Sequence, residues 1–301
     1  MSNKSLLIVA SLAYDGIETI EYKVDRTLGG AGSFICLSVK HFDCISSIIS
    51  VIGNDFHNED LELLKSCGVD ISGIEIKKNE KTFYWSCIYK NNFKDRITTK
   101  TELNVMANFN PVISQSNSTP DILLLGNLHP EIQLNAIKQI KKKPEFIILD
   151  TMNYWIENFW DTLKEVINNS DLISINDEES EMITGEKNLE KAAKVLHSMG
   201  PNFVIIKKAA DGAELFNFDK KFKSNAFKVK KVIDPTGAGD CFIGGIAGYL
   251  TKSDEISFDS IKSAIAYGTA IASYNVENMG TKNLLNLSMN EIKTRINKLN
   301  E

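Results

Sequence analysis

Arginine is the scarcest charged residue in this 301-residue chain. Of 34 basic side chains only three, Arg26, Arg96 and Arg295, are arginine and the rest are lysine, so each arginine merits more attention than usual. Asp and Glu number 39, and the net charge of −5 argues against a general nucleic-acid or membrane-surface binder. Cysteine is sparse: Cys36, Cys44, Cys67, Cys87 and Cys241 are odd in number, scattered and without a C-x-x-C pair. That excludes a disulfide framework or zinc site as the organising principle and fits a reducing compartment. The four histidines show no ligand spacing. No apolar run approaches membrane length, and Leu6–Val9 is too short for a signal peptide, so a soluble cytoplasmic protein is expected. There is no G-x-G-x-x-G fingerprint, Walker P-loop, linker, low-complexity tract or internal repeat. With 43% hydrophobic and 24% charged residues the composition is that of a globular protein, which rules out disorder and coiled coil as the main architecture.

What is present is a recurring unit of apolar run, turn and helical pattern. Leu6–Ala10, Ile45–Val51, Ile122–Leu125, Phe146–Leu149, Leu172–Ile175 and Phe203–Ile206 are continuous rather than alternating, as strands covered on both faces must be. Helical spacing lies between several of them, as in Leu189, Ala192, Ala193 and Leu196, closed by Gly200-Pro201. The alternation of strand and helix predicts a doubly wound α/β domain with a mainly parallel sheet, read here as one domain over 1–301. Two regions differ. Ile20, Tyr22 and Val24, and then Phe83, Trp85, Cys87 and Tyr89, alternate with polar residues, the pattern of a half-wet sheet. They are expected to form a small inserted sheet from segments near 14–28 and 72–105, either an ordinary surface hairpin or a lid over a substrate.

The chemistry concentrates in Asp234-Pro235-Thr236-Gly237-Ala238-Gly239-Asp240 and the apolar helical pattern behind it (Phe242, Ile243, Ile246, Tyr249, Leu250). Small residues at a helix N-terminus present free N–H groups and the positive dipole end to an anion, usually phosphate. Asp240 would repel that anion unless it has a proton to collect. A carboxylate beside an anion hole is what phosphoryl transfer to an alcohol requires. The alternative is a plain helix start in which Asp240 favours the dipole and the glycines turn the chain.

The segment Asp234–Ala247 resembles the C-terminal signature of the PfkB (ribokinase-like) carbohydrate kinase family, and the resemblance extends over essentially the whole chain. It implies a ribokinase-like fold, ATP and Mg²⁺, with Asp240 as catalytic base and the amides of Gly237, Ala238 and Gly239 as anion hole. Asp234 would lie by a monovalent-cation site for K⁺. Asp15 matches the aspartate that hydrogen-bonds sugar hydroxyls. Gly29 and Gly30, in Thr27–Ser33, match the family's Gly-Gly motif; glycine there permits positive φ and close ligand approach, although a simple β-turn would need the same residues. Asn176 and Glu179 resemble the N-x-x-E motif that organises Mg²⁺ and its waters, and they also fit a helix capping box. Lys207 and Gly212 belong to a partial match with a nucleotide-contacting turn, where Ala209 stands in place of a common glycine. Asn275 and Gly280 resemble the helix end beside adenine and the cation site, or else an ordinary C-cap.

One position departs from the family. Many members place a sugar-contacting asparagine where this chain has Phe34, so the usual contact set does not carry over intact. Asn127, Asp150 and Asn153 follow predicted strands, at the ends where α/β sheets gather ligands. Arg26 and Arg96 fall in the lid segments, where each either reaches an anionic group or lies on a solvated face. The resemblance implies phosphorylation of a primary hydroxyl on a sugar or sugar-like metabolite. A nucleoside is the alternative acceptor, since Phe34 and the face of Phe83, Trp85 and Tyr89 offer stacking surface. That same face would instead be covered in a homodimer formed through the lid. A catalytically silent sugar- or nucleotide-binding relative is the other class, and the joint presence of Asp240, the anion-hole segment and the N-x-x-E pair argues against it.

Overall fold

The structure, a computed structural model, describes residues 3–93 and 95–299. In chain order its strands are β1 (Leu6–Val9), β2 (Ala13–Glu18), β3 (Lys23–Gly29), β4 (Ser46–Gly53), β5 (Val69–Asp70), β6 (Ile74–Lys77) and β7 (Phe83–Lys90). They continue with β8 (Asp95–Glu102), β9 (Ile122–Leu125), β10 (Phe146–Asp150), β11 (Leu172–Asn176), β12 (Phe203–Lys207), β13 (Ala213–Asn217) and β14 (Lys220–Ser224). The main sheet runs β14-β13-β12-β11-β10-β9-β1-β4-β5, with β6 also paired to β4. It is parallel except where β12, β13 and β14 meet antiparallel.

The continuous apolar runs feed two cores, because successive side chains point to opposite faces. Leu6, Ile8, Leu124, Ile148 and Leu172 pack with helices Ala31–Val39, Ala238–Leu250 and Phe258–Asn275. Leu7, Val9, Leu125, Leu149 and Ile173 pack on the other face with helices Pro130–Gln139, Trp160–Asn168 and Leu189–Ser198. From β1 the strand order runs one way to β4 and the other way through β9, so the sheet reverses direction there. Crevices at such reversals, beyond the C-terminal strand ends, are where α/β proteins hold ligands.

A second sheet, β3-β2-β7-β8, stands over that end. Its inner face carries Ile17, Cys87 and Tyr89, which are buried with Met279 and packed by Val24, Trp85, Phe93 and Ile233. Two details of the expected boundaries change. Ile20 and Tyr22 are exposed at the turn between β2 and β3, because Thr19 and Tyr22 close a tight hydrogen-bonded turn that ends the alternation before Val24. Residues 74–77, within the stretch 72–105 read as lid, pair in parallel with β4 and belong to the main sheet.

Helix Ala238–Leu250 is wedged between its neighbours by glycines. A β-carbon on Gly245 would lie 2.8 Å from the Gly268 Cα of helix Phe258–Asn275, and one on Gly244 would lie 3.0 Å from the Ile35 Cα. Gly245→Ala is therefore expected to lower stability by ~1–2 kcal/mol although alanine is the better helix former by ~1 kcal/mol, because the contact is backbone to backbone. Urea denaturation checks the sign, and an unchanged or raised midpoint would mean that the two helices do not meet at these glycines.

Candidate active site

The first turn of helix Ala238–Leu250 forms the floor of the crevice. Gly237 precedes it with φ +76, a left-handed conformation that glycine adopts without a steric penalty, and no side chain caps the helix. A β-carbon on Gly237 would also run into the ring of Phe34, which is only 1% exposed and packs with Leu37, Cys241 and Ile271. Phe34 is thus the support under the turn rather than a surface offered to an acceptor, and the expected stacking role for it is withdrawn. The ring fills the space beneath Gly237 and has no free face.

Charged groups converge on this turn from the ends of β10, β11 and β12. Parallel registers place Asp150 opposite Ser174, and Asn176 opposite Lys207, so Asp150, Asn176 and Lys207 share the face that carries the helix. Lys207 Nζ donates to Asp150 Oδ1 at 3.1 Å and lies 3.4 Å from where a β-carbon on Gly239 would stand. Burial alone would lower the Lys207 pKa, but Asp150, Glu179 and Asp240 raise it on balance, so it stays cationic. Asp240 is half-buried at the crevice floor. Burial pushes its carboxyl well above the ordinary range, Asp150 and Asp15 add to the rise, and Lys207 and Arg96 oppose it. Burial likewise pushes Glu179 up to about 7, against the pull of Lys207.

Asn176 and Glu179 do form the capping box: Glu179 N–H donates to Asn176 Oδ1 at 2.7 Å and Asn176 N–H to Glu179 Oε2 at 2.8 Å. One carboxylate oxygen holds the helix start, and the group still lies in the field of Lys207 and Asp150.

Asp15, on β2 just past the end of β1, is buried with its carboxyl against the Gly29 Cα, where any side chain would collide with it. Gly30 has φ +77, and its N–H donates to the carboxylate. Burial nonetheless pushes Asp15 up to about 7, and Asp234 contributes. Register pairs Asp15 with Trp85 of β7, so the carboxyl and the indole stand side by side on one face. Alternation exposed the inner face of β7 in the sequence, but its pairing with β2, and hence this juxtaposition, had no local signal.

The loop before the helix is tied down from several sides. Asp234 is fully buried and accepts from Thr236 N–H at 2.9 Å and Gly280 N–H at 2.8 Å. Gly280, at φ +54, stands five residues beyond the end of its helix at Asn275, so it is not that helix's C-cap. Asn275 donates to the Thr236 carbonyl at 2.7 Å, which leaves its own Oδ1 buried without a partner. The Tyr89 hydroxyl of the small sheet meets Thr236 Oγ1 at 3.0 Å. Nothing in the sequence pointed to this last contact.

Other expected positions lie further out. Asn127 accepts from Trp155 Nε1 at 2.8 Å and donates to Met152 Sδ at 3.3 Å, so both ends of its amide are spent within an aromatic cluster with His129 and Phe159. Asn153 is exposed and its side chain accepts from Tyr154 N–H. Gly212 has φ +87 at the end of the turn after β12, and Ala209, at φ +46, holds a left-handed conformation that glycine would adopt more easily. Arg26 donates to Asp55 at 2.9 Å and covers the Tyr14 ring, so it is not free to bind an anion. Arg96 lies on the inner face of β8, exposed.

The donor set suits a nucleotide. The helix start, with no side-chain cap, forms an anion cradle beside a lysine that a β-carbon on Gly237 would distort, although Ala238 N–H already donates to the Pro235 carbonyl at 3.2 Å, and Glu179 with Asn176 offers the hard oxygens that Mg²⁺ takes through water. Among the described residues no three His, Cys, Asp or Glu side chains are arranged to hold a metal together. The orphaned Asn275 Oδ1 beside Asp234 and Thr236 suits a monovalent cation. No described helix is long and apolar enough to cross a membrane.

A sequence model of the pfkB family carbohydrate kinases matches residues 7–287. The cytidine kinase of Thermococcus kodakarensis is 26% identical, over 81% of this chain and 89% of its own. The nucleoside kinase of Methanocaldococcus jannaschii superposes with a TM-score of 0.79 at 21% identity, covering 99% of both chains. An E. coli protein assigned as a ribokinase II, solved with ATP and Mg²⁺, superposes at 0.78 with 20% identity, covering 98% of this chain and 99% of its own. The fold is therefore ribokinase-like.

The Asp15 shift has a thermodynamic consequence. Its carboxyl titrates near 3.8 when unfolded and about 7 when folded, so between those values only the unfolded chain is ionised and stability falls as pH rises. Asp15→Asn removes that penalty. It is expected to stabilise the ligand-free protein by ~1–3 kcal/mol at pH 8 and by almost nothing at pH 4. Denaturation midpoints at the two pH values check this, and an equal effect at both would refute it.

Proposed function

The chain belongs to the pfkB family of carbohydrate kinases, a family of ATP-dependent kinases, and we propose that it transfers the γ-phosphoryl group of ATP to a primary hydroxyl of a nucleoside, with Asp240 as general base. The observation that carries the mechanism is the position of Asp240. It lies in the first turn of a helix with no side-chain cap, in the fields of both Asp15 and Lys207. An acceptor held by Asp15 would present its hydroxyl to Asp240, and the nucleotide phosphates would meet Lys207.

Each residue then has one task. Asp15 accepts from acceptor hydroxyls, with Gly29 and Gly30 allowing the close approach. Asp240 takes the proton as the hydroxyl oxygen bonds to phosphorus. The amides of Gly237, Ala238 and Gly239 receive the negative charge of the group in transit. Lys207, held by Asp150, supplies positive charge beside Gly239. Glu179 and Asn176 would hold Mg²⁺ through water, and the ion would neutralise the phosphate charge. Asp234, Asn275 and the loop ending at Gly280 would hold K⁺ and so brace the anion-hole turn. Lys207 and Gly212 line the nucleotide side. The small sheet acts as the lid that excludes water from the transfer.

Trp85 supports a nucleoside over a free sugar. It is half-buried beside Asp15 on the same face, so an acceptor gripped by its ribose hydroxyls has an indole within reach of its base. The similarity to enzymes named cytidine kinase and nucleoside kinase supports the same acceptor class.

The test is ADP release with Mg·ATP and K⁺ across nucleosides, pentoses and hexoses. At least one nucleoside is expected to exceed every free sugar in kcat/KM. Asp240→Asn is expected to lower kcat by about 10³-fold while leaving ATP affinity nearly unchanged. Near-normal turnover in that variant would overturn the base assignment. Trp85→Ala is expected to raise the KM of the nucleoside about tenfold and leave that of ATP alone. A free sugar turned over better than any nucleoside would overturn the acceptor.

A further inference from the structure

Two of the three arginines in this chain are spent on carboxylates and aromatic rings. Arg26 bonds Asp55 and lies 3.9 Å over the Tyr14 ring. Arg295 pairs with Glu277, donates to Ser273 Oγ at 2.7 Å, and is sandwiched between Tyr274 and Phe227. Arg96 has no ion pair within 4 Å among the described residues. Its guanidinium lies 5.7 Å from the Trp85 ring centre. An arginine left unpaired on a solvated outer face would call for no explanation, but Arg96 is on the inner one. Register sets it opposite Tyr89, and paired residues project to the same side of a sheet. Tyr89 is the residue whose hydroxyl reaches Thr236, one position before Gly237.

We propose that Arg96 completes the phosphoryl-binding site: with the lid closed, its guanidinium donates to the non-bridging oxygens of the phosphoryl group as it passes from ATP to the acceptor. The charge balance of the crevice calls for such a group. Asp150, Glu179 and Asp240 surround a single lysine, Lys207, which already bonds Asp150, and a polyphosphate adds several further negative charges. The field of Arg96 falls on both Asp240 and Glu179. A guanidinium suits the task because it stays charged at any working pH and presents two parallel donors to two oxygens. Arg96 neither gives nor takes a proton. The hydroxyl oxygen bonds to phosphorus, the bond to ADP breaks, and the hydroxyl proton goes to Asp240. The Tyr89–Thr236 bond holds this rung of the lid in register with the anion-hole turn, which places the guanidinium without any partner on its own strand.

The inference rests on phosphoryl transfer at Asp240, and its test is chosen to stand apart from the identity of the acceptor. R96M and R96K are compared with the wild type in turnover, in affinity for Mg·ADP, and in affinity for Mg·ADP with aluminium fluoride, which mimics the group in transit. R96M is expected to lower kcat about 10²–10³-fold, with both KM values and the Mg·ADP affinity within about threefold of wild type. Affinity for the aluminium fluoride complex is expected to fall by a factor similar to that in kcat, and R96K to recover only part of both, since an ammonium supplies charge without the paired donors. R96M turning over within about threefold of wild type would overturn the proposal. So would a loss of aluminium fluoride affinity no larger than the loss of ADP affinity. Failure of every acceptor with the wild type would count against the proposed reaction, whereas Arg96 would still be judged by the aluminium fluoride complex alone.

Discussion

Lys207 is the cation on which the charge arrangement at the crevice floor depends. It comes from the last position of β12, bonds Asp150 at the end of β10, and lies in the field of Glu179 beyond β11 and of Asp240 in the facing helix. Without it three carboxyl groups would face one another in a half-dry cleft, and the least costly response would be to take up protons. A protonated Asp240 cannot accept another proton. The lysine opposes that uptake at Asp240 without overcoming the effect of burial, and the parallel registers of β10, β11 and β12 set Asp150, Asn176 and Lys207 on the face that carries the helix of Asp240.

The main sheet was legible because buried parallel strands must be apolar at every position, and runs such as Ile122–Leu125 and Phe203–Ile206 have little else to form. The helix start at Gly237 was legible for a similar reason, since a proline, small residues and an apolar helical pattern leave few other conformations. The small sheet was only half legible. Alternation marked Phe83–Tyr89 correctly but carried on through Ile20 and Tyr22, where a local turn between Thr19 and Tyr22 outweighs the periodicity. Strand β6 was drawn into the lid segment because four residues hold too little pattern to say which sheet they join.

The site divides along the same line. Residues contiguous in sequence, such as Asn176 with Glu179 or Gly29 with Gly30, were found together and stand together. What escaped were contacts set by register between distant strands: Asp15 beside Trp85, Arg96 opposite Tyr89, Tyr89 against Thr236. Phe34 shows the converse. Its place in the sequence suggested a ligand contact, whereas its ring is consumed beneath Gly237, where the left-handed turn leaves room for an aromatic plane.

The glycine contacts of helix Ala238–Leu250 carry a consequence for how such an enzyme can change. Main chain meets main chain at Gly245 and Gly268, and Gly244 abuts the backbone of Ile35, so no rotamer choice can slide or rotate the helix that bears Asp240. The acceptor side, by contrast, is lined by side chains of a separate sheet, whose replacement leaves that clamp untouched. On the proposed reading, chemistry would sit on the clamped helix and selectivity on a sheet joined to it through the Tyr89–Thr236 bond. Replacement of Trp85 and its neighbours would then change which alcohol is accepted while the Asp240 carboxylate keeps its address.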